Sequence, residues 1–147
     1  MAHTRKDVGQ VIAKLMPHII QGARLGFLAH RNITHTQFFV LISIHSHGPC
    51  TMKILSQNMQ VSMPTMSGII NRLAQADYIQ RVVNPSDRRQ VTVELTKEGQ
   101  KFIAQFQTVV GARWQEVLKS LNQDEINLFY HVVTKLFAAL QMRGKNG

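Results

Sequence analysis

Apolar residues recur at intervals of three or four along most of the chain, and this spacing predicts a mainly helical protein. One such stripe extends from Val8 to Ile20, where Pro17 is expected to kink the helix or to be tolerated at a cost in stability. Two more stripes begin at Phe102 and Ile126, and they predict a pair of long helices in the C-terminal part of the chain.

The middle of the chain predicts three shorter helices. The first begins after Thr34, because Gln37 three residues later completes a capping box, and it ends at Gly48. A short helix is predicted over residues 52–58. The third covers residues 62–75, since its first residue is a serine that suits the N-cap position and a proline follows in the first turn.

Two runs rich in β-branched residues, 78–83 and 90–95, follow this helix, and the segment between them favours a turn that ends in Arg88 and Arg89. A short helix, a second helix and a hairpin in this order predict a winged helix-turn-helix. The fold class is therefore mainly α (α+β), with helical arms at both ends. Because no linker or repeat interrupts the sequence, we expect a single domain over residues 1–147.

The charge of the chain indicates an anionic partner. Lys and Arg number 17 against eight Asp and Glu, which gives a formal net charge of +9, and no acidic residue occurs between Asp7 and Asp77. A half-chain without carboxylates suits a surface that lies on phosphate groups, so double-stranded DNA is the expected partner. The net charge alone is weaker support, since other cytoplasmic proteins also have a high isoelectric point.

Composition excludes several other classes of protein. Hydrophobic residues make up 44% of the chain, which is too many for a disordered protein. The longest mostly apolar run, residues 38–44, is far shorter than the roughly 18 residues of a membrane span. The one cysteine, Cys50, cannot form an internal disulfide, and the N-terminus has no apolar stretch like a signal peptide. We therefore expect a cytoplasmic protein with no membrane partner.

The outward face of the helix over residues 62–75 carries short polar or basic side chains and no carboxylate. Asn71 has the donor and the acceptor that pair with adenine N6 and N7, and Arg72 is long enough for guanine or a phosphate. Gly68 lets the helix backbone approach DNA closely. The predicted contacts of this recognition helix are Ser62, Thr65, Ser67, Gly68, Asn71 and Arg72. The alternative for the hydroxyl residues is a role in helix capping alone.

The tip of the predicted hairpin supplies a second set of DNA contacts. Arg88 and Arg89 suit the negative potential of a minor groove beside the recognition helix. Asp87 is expected to support the loop by pairing with one of them, Arg89 in preference. The alternative is an ordinary solvated turn, but the hairpin follows the two helices in the order that DNA binding requires.

An enzyme is not indicated, because the chain has no recognisable Ser-His-Asp arrangement and no phosphate-binding glycine loop. The one pair of neighbouring carboxylates, Asp124 and Glu125, lies at a predicted helix start. No cofactor is expected. A non-specific architectural DNA-binding protein stays open as an alternative function, and it would bind almost wholly through counterion release.

The segment from the predicted turn onward resembles a known family. Its most specific part is Asp87-Arg88-Arg89 followed by Leu95-Thr96 and, three residues later, Gly99. On these residues, and over about residues 33–100 in all, the chain resembles the multiple antibiotic resistance regulator (MarR) family.

The resemblance implies a homodimeric transcriptional regulator, usually a repressor, that binds a pseudo-palindromic operator. It implies a DNA-binding lobe over approximately residues 34–100. A helical dimerisation region would then comprise approximately residues 5–30 and 100–143. The recognition helix corresponds to residues 62–75 and the wing to residues 82–90.

Three positions depart from the family pattern. Asp77 stands where the family has glycine after the recognition helix, and it is expected to adopt the left-handed conformation at some cost. Tyr78 replaces the leucine that usually follows. Ile54 replaces a glutamate and is expected to be an exposed apolar residue.

The resemblance also implies regulation by a small molecule, since many members release DNA when a small phenolic or other lipophilic compound binds between the dimerisation and DNA-binding parts. His30, Arg31 and His35 lie at the junction of the first two helices and are the candidate polar contacts of such an effector. The alternative for each of them is an ordinary surface loop.

Redox-responsive and zinc-responsive regulation are alternatives within the same fold. Cys50 has no Lys or Arg beside it in sequence to lower its pKa, so we expect a buried and inert thiol. His45, His47 and Cys50 are the candidate zinc ligands. However, histidines are favoured near a helix C-terminus in any case, so no metal site is expected.

Overall fold

The computed structural model describes residues 2–144, without the side chains of residues 22–26, 29, 143 and 144. The expected domain over residues 1–147 extends beyond this part at residues 1 and 145–147, which lie outside the described residues. The described chain forms six α-helices, a 3₁₀ turn at Ala29–Arg31 and three short strands. In chain order these are α1 (Arg5–Phe27), α2 (His35–His47), β1 (Cys50–Thr51), α3 (Met52–Met59), α4 (Met63–Gln75), β2 (Ile79–Val83), β3 (Val91–Leu95), α5 (Lys97–Leu118) and α6 (Gln123–Gly144).

The predicted winged helix-turn-helix of mainly α class is confirmed. The helices α3 and α4 are the helix-turn-helix pair, and the antiparallel strands β2 and β3 form the wing. The short strand β1 pairs with β3 on its other side, so the sheet has the order β1-β3-β2. No helix within residues 2–144 combines the length and the apolarity that a membrane span requires.

The helices begin where the capping residues predict. The Thr34 hydroxyl accepts a hydrogen bond from the Gln37 amide at 3.2 Å, and the Gln37 side chain accepts one from the Thr34 amide at 2.9 Å. The Ser62 hydroxyl accepts from the Thr65 amide in the same way at 3.2 Å. At the other end of α2, Gly48 has a φ of 80°, which only glycine adopts readily. α1 continues through Pro17 as one helix.

The hydrophobic core lies between α2, α3, α4, the sheet and the first turns of α5. Its fully buried side chains come from each of these elements, so the core fixes the orientation of α4 relative to α5. They are Val40, Leu41, Leu55, Met66, Ile70, Leu73, Val93, Phe102 and Ile103. An aromatic group joins this core to the end of α1, where the Phe27 and Phe102 rings are 5.1 Å apart.

The N-terminus of α5 closes directly against the turn between α4 and β2. The Thr96 hydroxyl accepts from the Gly99 amide at 3.0 Å and donates to the Asp77 carbonyl. The Thr96 amide donates to the Tyr78 carbonyl at 3.1 Å. A Cβ on Gly99 would lie 2.0 Å from that same carbonyl oxygen, so only glycine fits there. These contacts explain why threonine and glycine occupy positions 96 and 99 in the Leu-Thr-x-x-Gly segment.

We expect Gly99→Ala to lower the free energy of unfolding by about 3 kcal/mol, because the backbone carbonyl of Tyr78 cannot move aside as a flexible side chain would. The matched control is Gly68→Ala on the exposed side of the helix α4, where a Cβ meets nothing within 4 Å. That change is expected to raise stability by up to about 1 kcal/mol through helix propensity. Urea unfolding at one protein concentration measures both, and equal stability of the two variants would contradict the close packing at Gly99.

Candidate nucleic-acid interface

The helix α4 divides into a buried face and an exposed face. Met66, Ile70 and Leu73 are buried in the core and leave the opposite face of the helix in solvent. The predicted recognition residues lie outside the core: Ser62, Thr65, Gly68, Asn71 and Arg72 are exposed and Ser67 is half-buried. The structure therefore brings the six residues together on one helix, in positions that another molecule can reach.

The first turn of this helix is held by its own hydroxyl groups. The Ser62 and Thr65 hydroxyl oxygens are 2.8 Å apart, in addition to the capping bond between Ser62 and the Thr65 amide. On the preceding helix, the buried Ser56 hydroxyl donates to the Lys53 carbonyl at 2.8 Å and lies 3.3 Å from the sulfur of Met63. These bonds fix the turn between α3 and α4, and they show that Ser62 serves as a cap.

A contact that the sequence did not predict joins the exposed face of α4 to the wing. Arg81 of β2 donates from Nη2 to Oδ1 of Asn71 at 2.6 Å. A sequence has no local pattern that links side chains ten positions apart on a helix and a strand, so this bond could not be predicted. The bond makes the helix face and the wing strand one continuous surface.

The tip of the wing is ordered by two side chains that bond to the backbone. Asn84 Oδ1 accepts from the Ser86 amide at 2.9 Å, and Asp87 Oδ1 accepts from the Arg89 amide at 3.0 Å. Asp87 thus supports the loop as expected, but through the backbone of Arg89 and not through its guanidinium. Arg88 and Arg89 are exposed.

The basic side chains of this surface carry no ion pair. Within the described residues, the one salt bridge joins Lys119 to Glu116 at 2.7 Å, at the far end of α5. Neither α3 nor α4 contains a carboxylate. The guanidinium groups of Arg72, Arg88 and Arg89 are therefore available to an anionic partner.

The family departures have the local effects expected of them. Asp77 adopts the left-handed conformation with a φ of 61°. Ile54 is 46% exposed. The Tyr78 ring packs 5.1 Å from the Phe102 ring, so it joins the aromatic group beside α5. The backbone carbonyls of Asp77 and Tyr78 both accept hydrogen bonds from Thr96.

The candidate redox and zinc residues are not brought together. Cys50 is buried as expected, and its burial raises the pKa of the thiol. His47 Nδ1 lies 3.0 Å from the Ser43 carbonyl oxygen, and His45 Nε2 lies 3.5 Å from the Gln107 amide nitrogen. In the part of the chain that the structure describes, no three His, Cys, Asp or Glu side chains form a group that could hold a metal ion.

Of the three candidate effector contacts, Arg31 lines a cavity beside the N-terminal turns of α5. This cavity has a volume of about 240 Å³, and its other walls are Tyr78, Glu98, Lys101, Phe102 and Gln105. The Arg31 guanidinium lies 4.1 Å above the Phe27 ring, and its Nη1 is buried with no hydrogen-bond partner among the described residues. His30 and His35 are exposed and do not line the cavity.

Comparison with known proteins agrees with this geometry. A sequence model of the MarR family matches residues 33–91. The multiple antibiotic resistance protein MarR of Salmonella typhimurium is 32% identical over 111 residues, which are 75% of this chain and 77% of that protein. The HTH-type transcriptional repressor MdtR of Bacillus subtilis is 29% identical over 144 residues, which are 96% of this chain and 88% of that protein.

The fold is shared with a solved structure as well. The crystal structure of the transcriptional regulator Tm0710 from Thermotoga maritima superposes with a TM-score of 0.81 at 20% identity, over 95% of this chain and 97% of that one. The family is identified by the match to its sequence model together with relatives that align along most of the chain. The chain belongs to the MarR family of DNA-binding transcriptional regulators, which are not enzymes.

Proposed function

We propose that this regulator is a homodimeric repressor that binds a pseudo-palindromic operator in the cytoplasm and releases it when a small lipophilic or phenolic effector binds. In this proposal α4 enters the major groove and the wing reaches the adjacent minor groove. The recognition contacts are the six residues of the α4 face, and the wing contacts are Arg88 and Arg89 with Asp87 in support. Repression is supported by the relative MdtR, which is named a repressor.

The observation that carries the proposal is the bond between Arg81 and Asn71. It fixes the wing strand against the exposed face of α4, so the two elements can contact DNA together without rearrangement. A basic surface of this kind, with no carboxylate on α3 or α4, suits a partner that offers both base edges and phosphates. An isolated basic helix or loop would support only non-specific binding.

The dimer proposal is supported by an apolar surface that the single chain does not cover. The chain exposes 11169 Å², whereas a compact monomer of 16.7 kDa exposes roughly 7,600 Å². Most of the exposed large apolar side chains lie on α1 and α6. Those of α1 are Val8, Val11, Ile12, Met16 and Ile20, and those of α6 include Leu128, Phe129, Val133, Leu136, Phe137 and Leu140.

The positions of these apolar side chains separate a proposed dimer interface from a proposed DNA-binding lobe. We propose that residues 34–100 form the DNA-binding lobe and that residues 5–30 and 100–143 form the dimer interface. Two apolar stripes of this length suit contact with a second copy of the chain, since they would favour aggregation if they stayed exposed to solvent. A two-fold dimer would place its two α4 helices about 34 Å apart, which matches one turn of DNA.

The effector site is proposed at the cavity beside Arg31. A buried donor without a partner costs about 1–3 kcal/mol, so an acceptor atom of a bound molecule would be stabilised there. The exposed lining of this cavity is mainly polar, with Glu98, Lys101 and Gln105 beside Arg31, so the cavity suits the polar group of an effector. Tyr78 also belongs to the turn that α5 holds, so a molecule in this cavity would touch the connection between α4 and α5. His30 and His35 stay sequence-based predictions.

We expect Arg88→Ala and Arg89→Ala each to weaken DNA binding by about 1–3 kcal/mol on every sequence, because the wing contacts the backbone and the groove instead of one base. Each change is expected to reduce the slope of log affinity against log salt by about 1. Fluorescence anisotropy on a duplex selected from a random pool measures both quantities.

The control for the wing variants is Lys119→Ala, which also removes one positive charge. Lys119 is 70% exposed and follows the last residue of α5, at the opposite end of that helix from the wing. It is expected to leave binding unchanged, and size-exclusion chromatography checks that the variant stays a dimer, because Lys119 lies within the proposed dimer region. If the double wing variant bound DNA as tightly as wild type at about 150 mM salt, the wing assignment would be contradicted. If wild type bound selected and unrelated duplexes equally, the non-specific architectural alternative would be favoured.

For the effector site, benzoate and phenol are expected to raise the Tm of the wild type by about 3–6 °C at ten times their Kd, and to release the selected duplex. Toluene has the same ring without an acceptor and is the matched control. Arg31→Met keeps a side chain over Phe27 and removes the donors, so it is expected to abolish the difference between benzoate and toluene. The same Tm increase in Arg31→Met and wild type would contradict the site.

A further inference from the structure

The hydrogen bond between Arg81 and Asn71 fixes which way the asparagine amide faces. A guanidinium group has donors only, so Asn71 must present its oxygen to Arg81 at the observed 2.6 Å. The reverse orientation would bring two N–H donors into contact. The amide nitrogen of Asn71 consequently points away from Arg81, and it has no hydrogen-bond partner among the described residues.

This orientation changes what Asn71 offers to a base pair. To pair with adenine through both atoms, an asparagine must accept from N6 with Oδ1 and donate to N7 with Nδ2. In this protein a charged donor occupies one of the two lone pairs of Oδ1 and places a positive charge beside the other, which disfavours a second N–H donor there. Both N–H donors of the NH₂ group remain free. The base edge that it matches is one with acceptors only, and guanine presents two of them, N7 and O6.

Arg81 is held in this position by the wing itself. The strand β2 pairs with β3 along its whole length, and Arg81 lies opposite Val93, which is fully buried. Its neighbour Gln80 points to the other side of the sheet, as strand geometry requires, and donates to Glu94 at 2.6 Å. The backbone position of Arg81 is thus set by the hairpin, and its guanidinium reaches Asn71 from there.

We propose that Arg81 is a positioning residue for sequence recognition, which turns Asn71 into a donor and makes it select guanine over adenine. This inference rests on the proposed role of α4 as the recognition helix. Asn71 touches the base, and Arg81 acts through it. The base that the sequence alone suggested for Asn71 was adenine, so the two assignments predict different operators.

The test is selection of bound duplexes from a random pool by full-length wild type and by variants. Asn71→Ala identifies the base position concerned, because preference there is expected to disappear. At that position wild type is expected to favour guanine over adenine by about tenfold. Arg81→Met releases Oδ1 and is expected to lower this ratio at least about fivefold, towards adenine. Arg81→Lys retains one donor to Oδ1 and is expected to keep guanine.

Gln80→Met is the matched control, because it removes a polar side chain from the same strand on the opposite face. It is expected to leave the selected sequence unchanged. Thermal unfolding of each variant confirms that it is folded, and a merely structural role of Arg81 would change the Tm without changing the selected base.

Three results would overturn the inference. If the wild type selects adenine at the position that depends on Asn71, Oδ1 is free to accept a hydrogen bond from adenine N6. An equal loss of affinity on all sequences in Arg81→Met would make Arg81 a phosphate contact. Failure of the wild type to select any motif would contradict the recognition role of α4 itself, so it would remove the proposed function together with the inference.

Discussion

The fold of this regulator depends on one close contact, in which the N-terminus of α5 closes against the turn that follows α4. Thr96 caps α5 and bonds to the carbonyls of Asp77 and Tyr78, and Gly99 allows the helix to come within reach of the second carbonyl. The helix α4 carries the exposed polar face, and α5 leads into α6 with its exposed apolar side chains. The contact therefore sets the orientation of α4 relative to α5. The left-handed Asp77 is tolerated because the surrounding bonds hold it there.

Much of this fold could be predicted from the sequence, because its signals are local. The helix starts at Thr34 and Ser62 follow from side chains that bond to amides three residues later, and the hairpin follows from alternating β-branched residues around a turn. The buried face of α4 follows from the helical spacing of Met66, Ile70 and Leu73. Gly99 could be placed only by resemblance, since its necessity comes from a carbonyl 21 positions earlier in the chain.

The candidate site was predictable residue by residue, but the contacts that determine its chemistry were not. The exposed face of α4 and the two wing arginines follow from periodicity and turn composition. The bond that fixes the amide of Asn71 joins a helix to a strand, and the unpartnered nitrogen of Arg31 depends on how α1 meets α5. Both arise from tertiary packing, for which a single sequence has no local signal. Asp87 shows the same limit, since it bonds to the backbone of Arg89 and not to its charge.

We propose that helix α4 and the wing form one DNA-contacting surface, which a dimer would present twice. Hydroxyl-radical footprinting of wild type on a duplex selected from a random pool tests it most directly. We expect two equally protected regions of the duplex, with centres about 34 Å apart. Each region should be extended on its outer side by the wing. One protected region alone, or uniform protection along the duplex, would contradict it.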